Sequence, residues 1–365
     1  MKRELWKHFD FWLFGGVVVL CIFGIVMIRS AIAGNADLAI SVDRQAIWVG
    51  IGIVVILILT LVDYHYWASL SRPMYIFTFL LLVFTYVTAK AQFGAARWLE
   101  AGTIFIQPAE LAKIVIILVL ADYFAKNKDQ PHDLRWVFRS LLLAGGTVIW
   151  IYLQPNLSNT IVILVIWFAL LWLSGLPVRY LIIFIGLAIL IAVFTFPLWQ
   201  GYQQERVFGF VFQDQSATYG DKYNVDQALI SIGSGGLFGQ GYGHGTQVQL
   251  RFLKVRHTDF IFSAMASEFG FIGTVLIIAL LVFVIFRCFR AASLASDAYG
   301  AYIAFGFGFL LFFQTAVNIG VNLSVIPVTG LTLPFISYGG SSLLTLTIGI
   351  GLIESVIVRH KSLEF

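Results

Sequence analysis

Apolar residues in this chain come in long unbroken runs rather than as one face of a helix or strand. Runs of membrane length fall at 11–30, 45–62, 74–89, 109–125, 137–153, 157–174, 179–198, 260–286, 299–322 and 336–358. About 20 apolar residues carry a helix across the hydrocarbon of a bilayer. The pattern therefore predicts an all-α membrane protein, a single polytopic domain of ten transmembrane helices. Ala31-Ile32-Ala33 after the first run resembles a signal-peptide cleavage site. That run is too long for a signal and nine more follow, so it is read as a retained anchor. Between the seventh and eighth spans lies one long interval, 199–258. Its Tyr202, Phe208, Phe210, Phe212, Tyr219, Tyr223 and Leu229 are too many apolar anchors for a floppy linker, so an ordered loop is expected there.

Composition strengthens this picture. The chain is 59% hydrophobic and 12% charged, against about 25% charged in soluble domains. Its formal net charge of +4 is spread over the ends of apolar runs, so nothing points to nucleic acid. Lys2, Arg3, Lys7, Arg135, Arg139, Arg287, Arg290, Arg359 and others share one side of the predicted bundle. The short loops of the other side hold only Arg29, Arg44, Lys90 and Arg97. Basic residues stay inside, so both termini are expected in the cytoplasm and the 199–258 loop outside. Cys21 and Cys288 each fall within an apolar run, which speaks against a disulfide framework.

Candidate chemistry gathers at the predicted outer ends of the spans. In "GAARWLEAGTIFIQPAELAKI" (94–114) Pro108 suits a first helical turn. Glu110 and Lys113 then share a helix face, as a structural ion pair or as a substrate contact. "SIGSGGLFGQGYGHGTQ" (231–247) lacks the lysine of a P-loop and the spacing of a dinucleotide fingerprint. Its glycines could turn N–H groups toward an anion, or simply allow a tight reentrant turn. In "VRHTDFIFSAMASEFG" (255–270) Thr258 suits an N-cap and Asp259 the first turn of the eighth span, where a helix dipole favours a carboxylate. Asp259, Ser263, Ala266, Gly270 and Gly273 make a small-residue face, and Phe262, Met265, Phe269 and Ile272 a bulky one suited to lipid. A carboxylate there is costly unless paired, wet or useful. Finally, Pro334 is expected to break the chain ahead of the tenth span.

These blocks together resemble the SEDS family (shape, elongation, division and sporulation) of polytopic peptidoglycan glycosyltransferases. The matching residues are Gly94-Ala95-x-Arg97-Trp98, Gln107-Pro108-x-Glu110-Leu111-x-Lys113, Gln154-Pro155, Tyr223-x-x-x-Gln227, Ile232-Gly233-Ser234-Gly235-Gly236, Arg256-His257-Thr258-Asp259-Phe260-Ile261-Phe262 and Pro334-x-x-Ser337-Tyr338-Gly339-Gly340-Ser341. They run in family order from the third span to the tenth. Arg256-His257 ahead of Thr258-Asp259 favours the elongation (RodA-like) branch over the division (FtsW-like) branch. Asn156, Ser158, Lys254 and Ser267 depart from the usual family residues.

The resemblance implies polymerisation of lipid II on the outer face of the bacterial cytoplasmic membrane. Asp259 falls on the family's catalytic aspartate, and Glu110 and Lys113 on a pair needed for activity. Arg97, Gln107, Arg206, Gln227, Ser234, Gly235, His257, Thr258 and Ser337 are the supporting candidates. The chemistry would use Asp259 as general base on the acceptor 4-hydroxyl. Arg97, Lys113, Arg206 and glycine N–H groups would stabilise the departing lipid diphosphate. No metal ligands or cofactor are implied, and assistance by a divalent cation is left open. Implied partners are a class B penicillin-binding protein and other membrane proteins of an elongation complex. The rival reading is a lipid II flippase, which needs polar groups at mid-membrane rather than at helix ends.

Overall fold

The computed structural model describes residues 6–32, 35, 38–88, 98–101, 104–129, 133–199, 201–212 and 221–360. In chain order the helices are α1 (Phe11–Ala31), α2 (Ile40–Leu61), α3 (His65–Thr88), α4 (Pro108–Lys126), α5 (Leu134–Leu153), α6 (Leu157–Leu173) and α7 (Val178–Thr195). There follow α8 (Gly201–Phe212), α9 (Asp221–Ser234), α10 (Thr246–Gln249), α11 (Ile261–Leu294), α12 (Ala298–Asn322) and α13 (Gly340–Ile357). A small antiparallel hairpin, β1 (Leu99–Ala101) and β2 (Ile104–Ile106), precedes α4, with Glu100 opposite Phe105. Every predicted span corresponds to a helix. Seven of them are long and apolar enough to cross a membrane: α1, α2, α3, α5, α11, α12 and α13. The other three fall short for stated reasons. α4 carries Glu110, Lys113, Asp122 and Lys126, while α6 and α7 qualify only as shorter apolar helices. The interval 199–258 is not a plain loop, since α8, α9 and α10 form within it.

Local chemistry sets the helix starts. Asp10 accepts from the Trp12 and Leu13 amides, Asp133 from Trp136 and Asp297 from Gly300. Each such cap contributes about 1 kcal/mol. Glycines set how closely helices approach. α2 and α13 form the most extensive helix pair, and a Cβ on Gly52 would lie 2.8 Å from the Thr347 methyl. Charges then lock one end of the bundle. Arg287 of α11 donates through Nε to Asp10 Oδ2 at 2.7 Å, and the Asp10 amide donates to Glu354 of α13 at 3.1 Å. The start of α1 and the ends of α11 and α13 therefore share one end. The opposite end gathers the start of α11, the end of α12 and the start of α13.

Two expectations for the 255–270 stretch are corrected. The helix begins at Ile261 with Phe260 as its cap, so Asp259 precedes it and does not sit in its first turn. Thr258 Oγ1 donates to the Val255 carbonyl at 3.3 Å instead of capping helix amides. The second correction concerns the faces. Phe262 and Met265 are buried along with Ser263 and Ala266, so the bulky face does not meet lipid there. This buried stretch ends at Gly270, whose φ of 67° and ψ of −167° break α11 in two. This region of backbone space is essentially glycine-only. Beyond the break the Phe271 and Ile272 amides bond to the Gly236 and Leu237 carbonyls at 2.9 and 3.1 Å.

A Cβ at position 270 would overlap the Gly239 nitrogen and meet the Phe238 carbonyl carbon at 2.7 Å. Gly270→Ala should therefore cost about 2–5 kcal/mol from strain and overpacking together. Gly145, in the interior of α5 with nothing within 4 Å of its Cβ position, should tolerate alanine and gain up to about 1 kcal/mol. Thermal melting of the two purified variants checks the contrast. Equal melting points would contradict the account of the kink.

Candidate active site around Asp259

The segment 255–260 is not helical, so its backbone groups need partners from elsewhere in the protein. They find them on two other elements, the 330s turn and α12. The Tyr338 amide donates to the His257 carbonyl at 2.9 Å, and Ser337 Oγ donates to the Thr258 carbonyl at 2.7 Å. Asn318 and Asn322 of α12 both donate through Nδ2 to the Asp259 carbonyl, at 3.1 and 3.0 Å. Three consecutive carbonyls are thus gripped from outside the segment. Ser337 also accepts from the Leu333 amide at 2.9 Å, which closes the turn behind Pro334. Gln45 of α2 fastens that turn, donating to the Ser337 carbonyl and accepting from the Gly339 amide, each at 3.3 Å.

The Asp259 side chain is half-buried and faces the 330s turn. Its Oδ2 lies 3.8 Å from where a Cβ on Gly330 would stand. Gly330 has a φ of 76°, so glycine is favoured there for its backbone as well. Beside it, burial pushes the His257 ring below the ordinary histidine range, and the Arg256 charge pushes it the same way. His257 is therefore neutral at neutral pH. Arg256 is buried and donates to the Ala31 carbonyl at the end of α1 and, at 3.2 Å, to Leu253. It anchors the segment to the first helix.

Glu110 and Lys113 form the expected pair on α4, Nζ to Oε1 at 2.7 Å, with side-chain exposures of 8% and 0%. Pro108 occupies the first turn, as its sequence position suggests. The Gln107 amide donates to Ser341 Oγ at 3.3 Å, so α4 begins at the same end as α13. α4 therefore runs antiparallel to α12, and the two touch where Ile117 packs on Gly306. At 1.5 Å rise per residue, Glu110 comes level with about Gln314, one turn from Asn318. Among the described residues, the buried Glu110 Oε2 and Gln314 Oε1 have no hydrogen-bond partner. The ion pair and the Asp259 segment thus lie toward the same end of the bundle.

The glycine-rich stretch behaves differently from an anion cradle. Gln240 and Gly241 donate their amides to the Ser267 and Glu268 carbonyls, each at 3.0 Å, and Gly239 donates to Gly235 at 2.8 Å. Gly236, Gly239, Gly241 and Gly243 have positive φ. A Cβ on Gly235 would overlap the Ala266 carbonyl. Close docking onto α11 explains these glycines, and the N–H groups named here are taken by carbonyls. Ser234 donates to the Ser231 carbonyl at 2.8 Å and faces Ser267 Oγ at 3.4 Å. Next to Ser267, the buried Glu268 accepts from Ser30 of α1. Gln227 is half-buried on α9 and Arg206 on α8. Arg97 lies outside the described residues. Among the described residues no three His, Cys, Asp or Glu side chains come together as a metal site.

Asn318 and Asn322 were not singled out from the sequence. Their signal was present: two amides four apart on an otherwise apolar helix, each costly unless bonded.

The chain is similar to known proteins in both sequence and fold. The family model FTSW_RODA_SPOVE, described as a cell cycle protein, matches residues 11–362. The chain is 36% identical over 307 residues to the peptidoglycan glycosyltransferase MrdB of Escherichia coli K12, covering 82% of this chain and 80% of that protein. It is 33% identical over 355 residues to a probable peptidoglycan glycosyltransferase FtsW of Geobacter sp. strain M18, covering 94% and 95%. Among solved structures, the rod shape determining protein RodA of Thermus thermophilus superposes with a TM-score of 0.73 at 31% identity, over 97% of this chain and 98% of that one. A chain from a peptidoglycan synthase complex, studied for its coordination of polymerization and crosslinking, superposes with a TM-score of 0.83 at 30% identity, over 96% and 97%. The protein belongs to the FtsW/RodA/SpoVE family of membrane proteins.

Removing one member of a buried pair leaves the other charged and unpaired, a penalty of roughly 3–5 kcal/mol. Glu110→Gln and Lys113→Met should each lower the melting point or the turnover strongly, and the double variant should be no worse than either. Losses that add in the double-mutant cycle would show that the two residues act separately.

Proposed function

We propose that this protein is a peptidoglycan glycosyltransferase that polymerises lipid II on the outer face of the bacterial cytoplasmic membrane, in cell elongation. The single observation that carries the reading is Asp259, a half-buried carboxylate just ahead of α11 whose backbone is gripped by α12 and the 330s turn. The names of the relatives support the reaction class.

In the proposed step the 4-hydroxyl oxygen of one lipid II bonds to the anomeric carbon of the growing chain. The bond from that carbon to the lipid diphosphate breaks, and the hydroxyl proton passes to Asp259. One displacement turns an α-linked donor into a β-1,4 product, so no covalent glycosyl-enzyme is needed. Lys113, Arg97 and Arg206 are proposed to offset the charge that grows on the diphosphate. Gln107, Glu110, Gln227, Ser234, Gly235, His257, Thr258 and Ser337 are proposed to shape the site. The Gly235, Gly236, Gly239 and Gly241 amides take no part in offsetting that charge, because protein carbonyls already hold them.

The same reading makes spans of α1 to α7 and α11 to α13, with cytoplasmic termini and α8 to α10 outside. A class B penicillin-binding protein is the proposed membrane partner, supported by the likeness to a complex that couples polymerization to crosslinking. Transport of lipid II is disfavoured because the gripped segments lie at helix ends rather than midway along them.

Asp259→Asn keeps shape and removes basicity. It should leave folding intact and lower lipid II polymerisation by about two orders of magnitude or more, the scale of a lost general base. A folded variant that still makes long glycan strands at the normal rate would sink the assignment. Topology is checked separately with an impermeant thiol reagent on intact cells, since native Cys21 and Cys288 are buried. A cysteine replacing exposed Leu250 should react, and one replacing exposed Lys128 should not. The reverse pattern would invert the proposed orientation.

A further inference from the structure

We propose that Asn318 and Asn322 are positioning residues for the reaction: they fix where the Asp259 carboxylate stands by holding its backbone. The inference rests on the reading of Asp259 as the base, and it starts from how fully the Nδ2 donors of both amides are used. Asn318 Nδ2 donates to the Asp259 carbonyl at 3.1 Å and to the Leu331 carbonyl at 2.7 Å. Asn322 Nδ2 donates to the Asp259 carbonyl at 3.0 Å and to the Asn318 carbonyl at 2.8 Å. Asn322 Oδ1 accepts from the Ser263 amide at 3.1 Å and from Ser263 Oγ at 2.6 Å. A backbone amide can only donate, so the orientation of the Asn322 side chain is settled by its own network.

Plain packing glue would account for one bond between helices. It does not account for two buried amides converging on one carbonyl, that of the residue carrying the base. The carbonyl offers two lone pairs, and both are claimed. The remaining bonds tie that point to its two neighbours. Ser263 is in the first turn of α11, so Asn322 sets the angle at which the Asp259 segment enters the helix. Leu331 adjoins Gly330, the wall facing the Asp259 carboxylate, so Asn318 sets the distance from base to wall. Both side chains are within 1% of full burial, which keeps water from competing for the shared carbonyl.

The test is steady-state kinetics of lipid II polymerisation by purified variants, with thermal melting alongside. Asn318→Leu and Asn322→Leu should lower kcat about 10- to 100-fold, the scale of an ångström misplacement, with KM unchanged within about twofold. Asn318→Asp and Asn322→Asp keep the volume in case the leucine variants do not fold. They should show the same kcat-selective loss, because a carboxyl offers at most one donor where each amide uses two. A folded variant with normal kcat, or one in which only KM or the folded yield changes, would reduce the asparagines to structural bonds and overturn the proposal. Wild type and Asp259→Asn run beside them separate the two levels. A wild type that makes no polymer defeats the parent reading, whereas normal asparagine variants beside an active wild type defeat this one alone.

Discussion

Each place where an apolar chain leaves the helix exposes backbone groups that hydrocarbon cannot satisfy. Three such places in this protein meet at one end of the bundle: the glycine-rich turn at 235–245, the segment 255–260 and the turn at 323–339. They answer one another's needs. Amides of the first bond to carbonyls of α11, amides beyond the α11 break bond back to the first, and carbonyls of the second are held by the third and by α12. Gly235, Gly239 and Gly270 are where this mutual contact is tightest, since a Cβ on any of them would overlap backbone. The candidate site is the surface that these segments share.

Charge is distributed to suit that arrangement. At the opposite end Asp10, Arg287 and Glu354 join three helices. At the site end the buried pair is Glu110–Lys113, level with about Gln314 of α12. A buried pair is weak evidence of stability, because desolvation offsets most of its attraction. Its cost at that place is understandable if the ammonium faces a diphosphate during turnover. The Asp10, Arg287 and Glu354 set ties α1, α11 and α13 together, whereas Glu110 and Lys113 pair within α4.

Much of this was legible in the sequence, and the failures have physical causes. Long apolar runs gave all ten helices, and Pro108 with Glu110 and Lys113 gave the start of α4 and its ion pair. The Asp259 block was found but its geometry was misread. Spacing alone assumed an unbroken helix from 258, whereas Gly270 breaks α11 and the helix starts only at Ile261. No local pattern announces that break, because the reason for it is the approach of Gly239 from another segment. The glycine-rich turn was read as a tight reentrant turn or an anion cradle, and only tertiary partners separate the two. Asn318 and Asn322 carry no titratable group, and their partner, the Asp259 carbonyl, lies about sixty residues away in sequence, so no local pattern marks that contact. Helix α4 fails a simple span criterion for the same reason that makes it interesting: charge where lipid would exclude it.

The central claim is that an Asp259 held in this way serves glycan polymerisation rather than passage of the lipid-linked sugar. The most direct measurement is to incubate the purified protein with labelled lipid II, alone and with a class B penicillin-binding protein, and to resolve the products by length. The account predicts long strands that a muramidase cuts back to disaccharide units, with lipid diphosphate released in step. Lipid II recovered unchanged from well-folded protein under both conditions would contradict it.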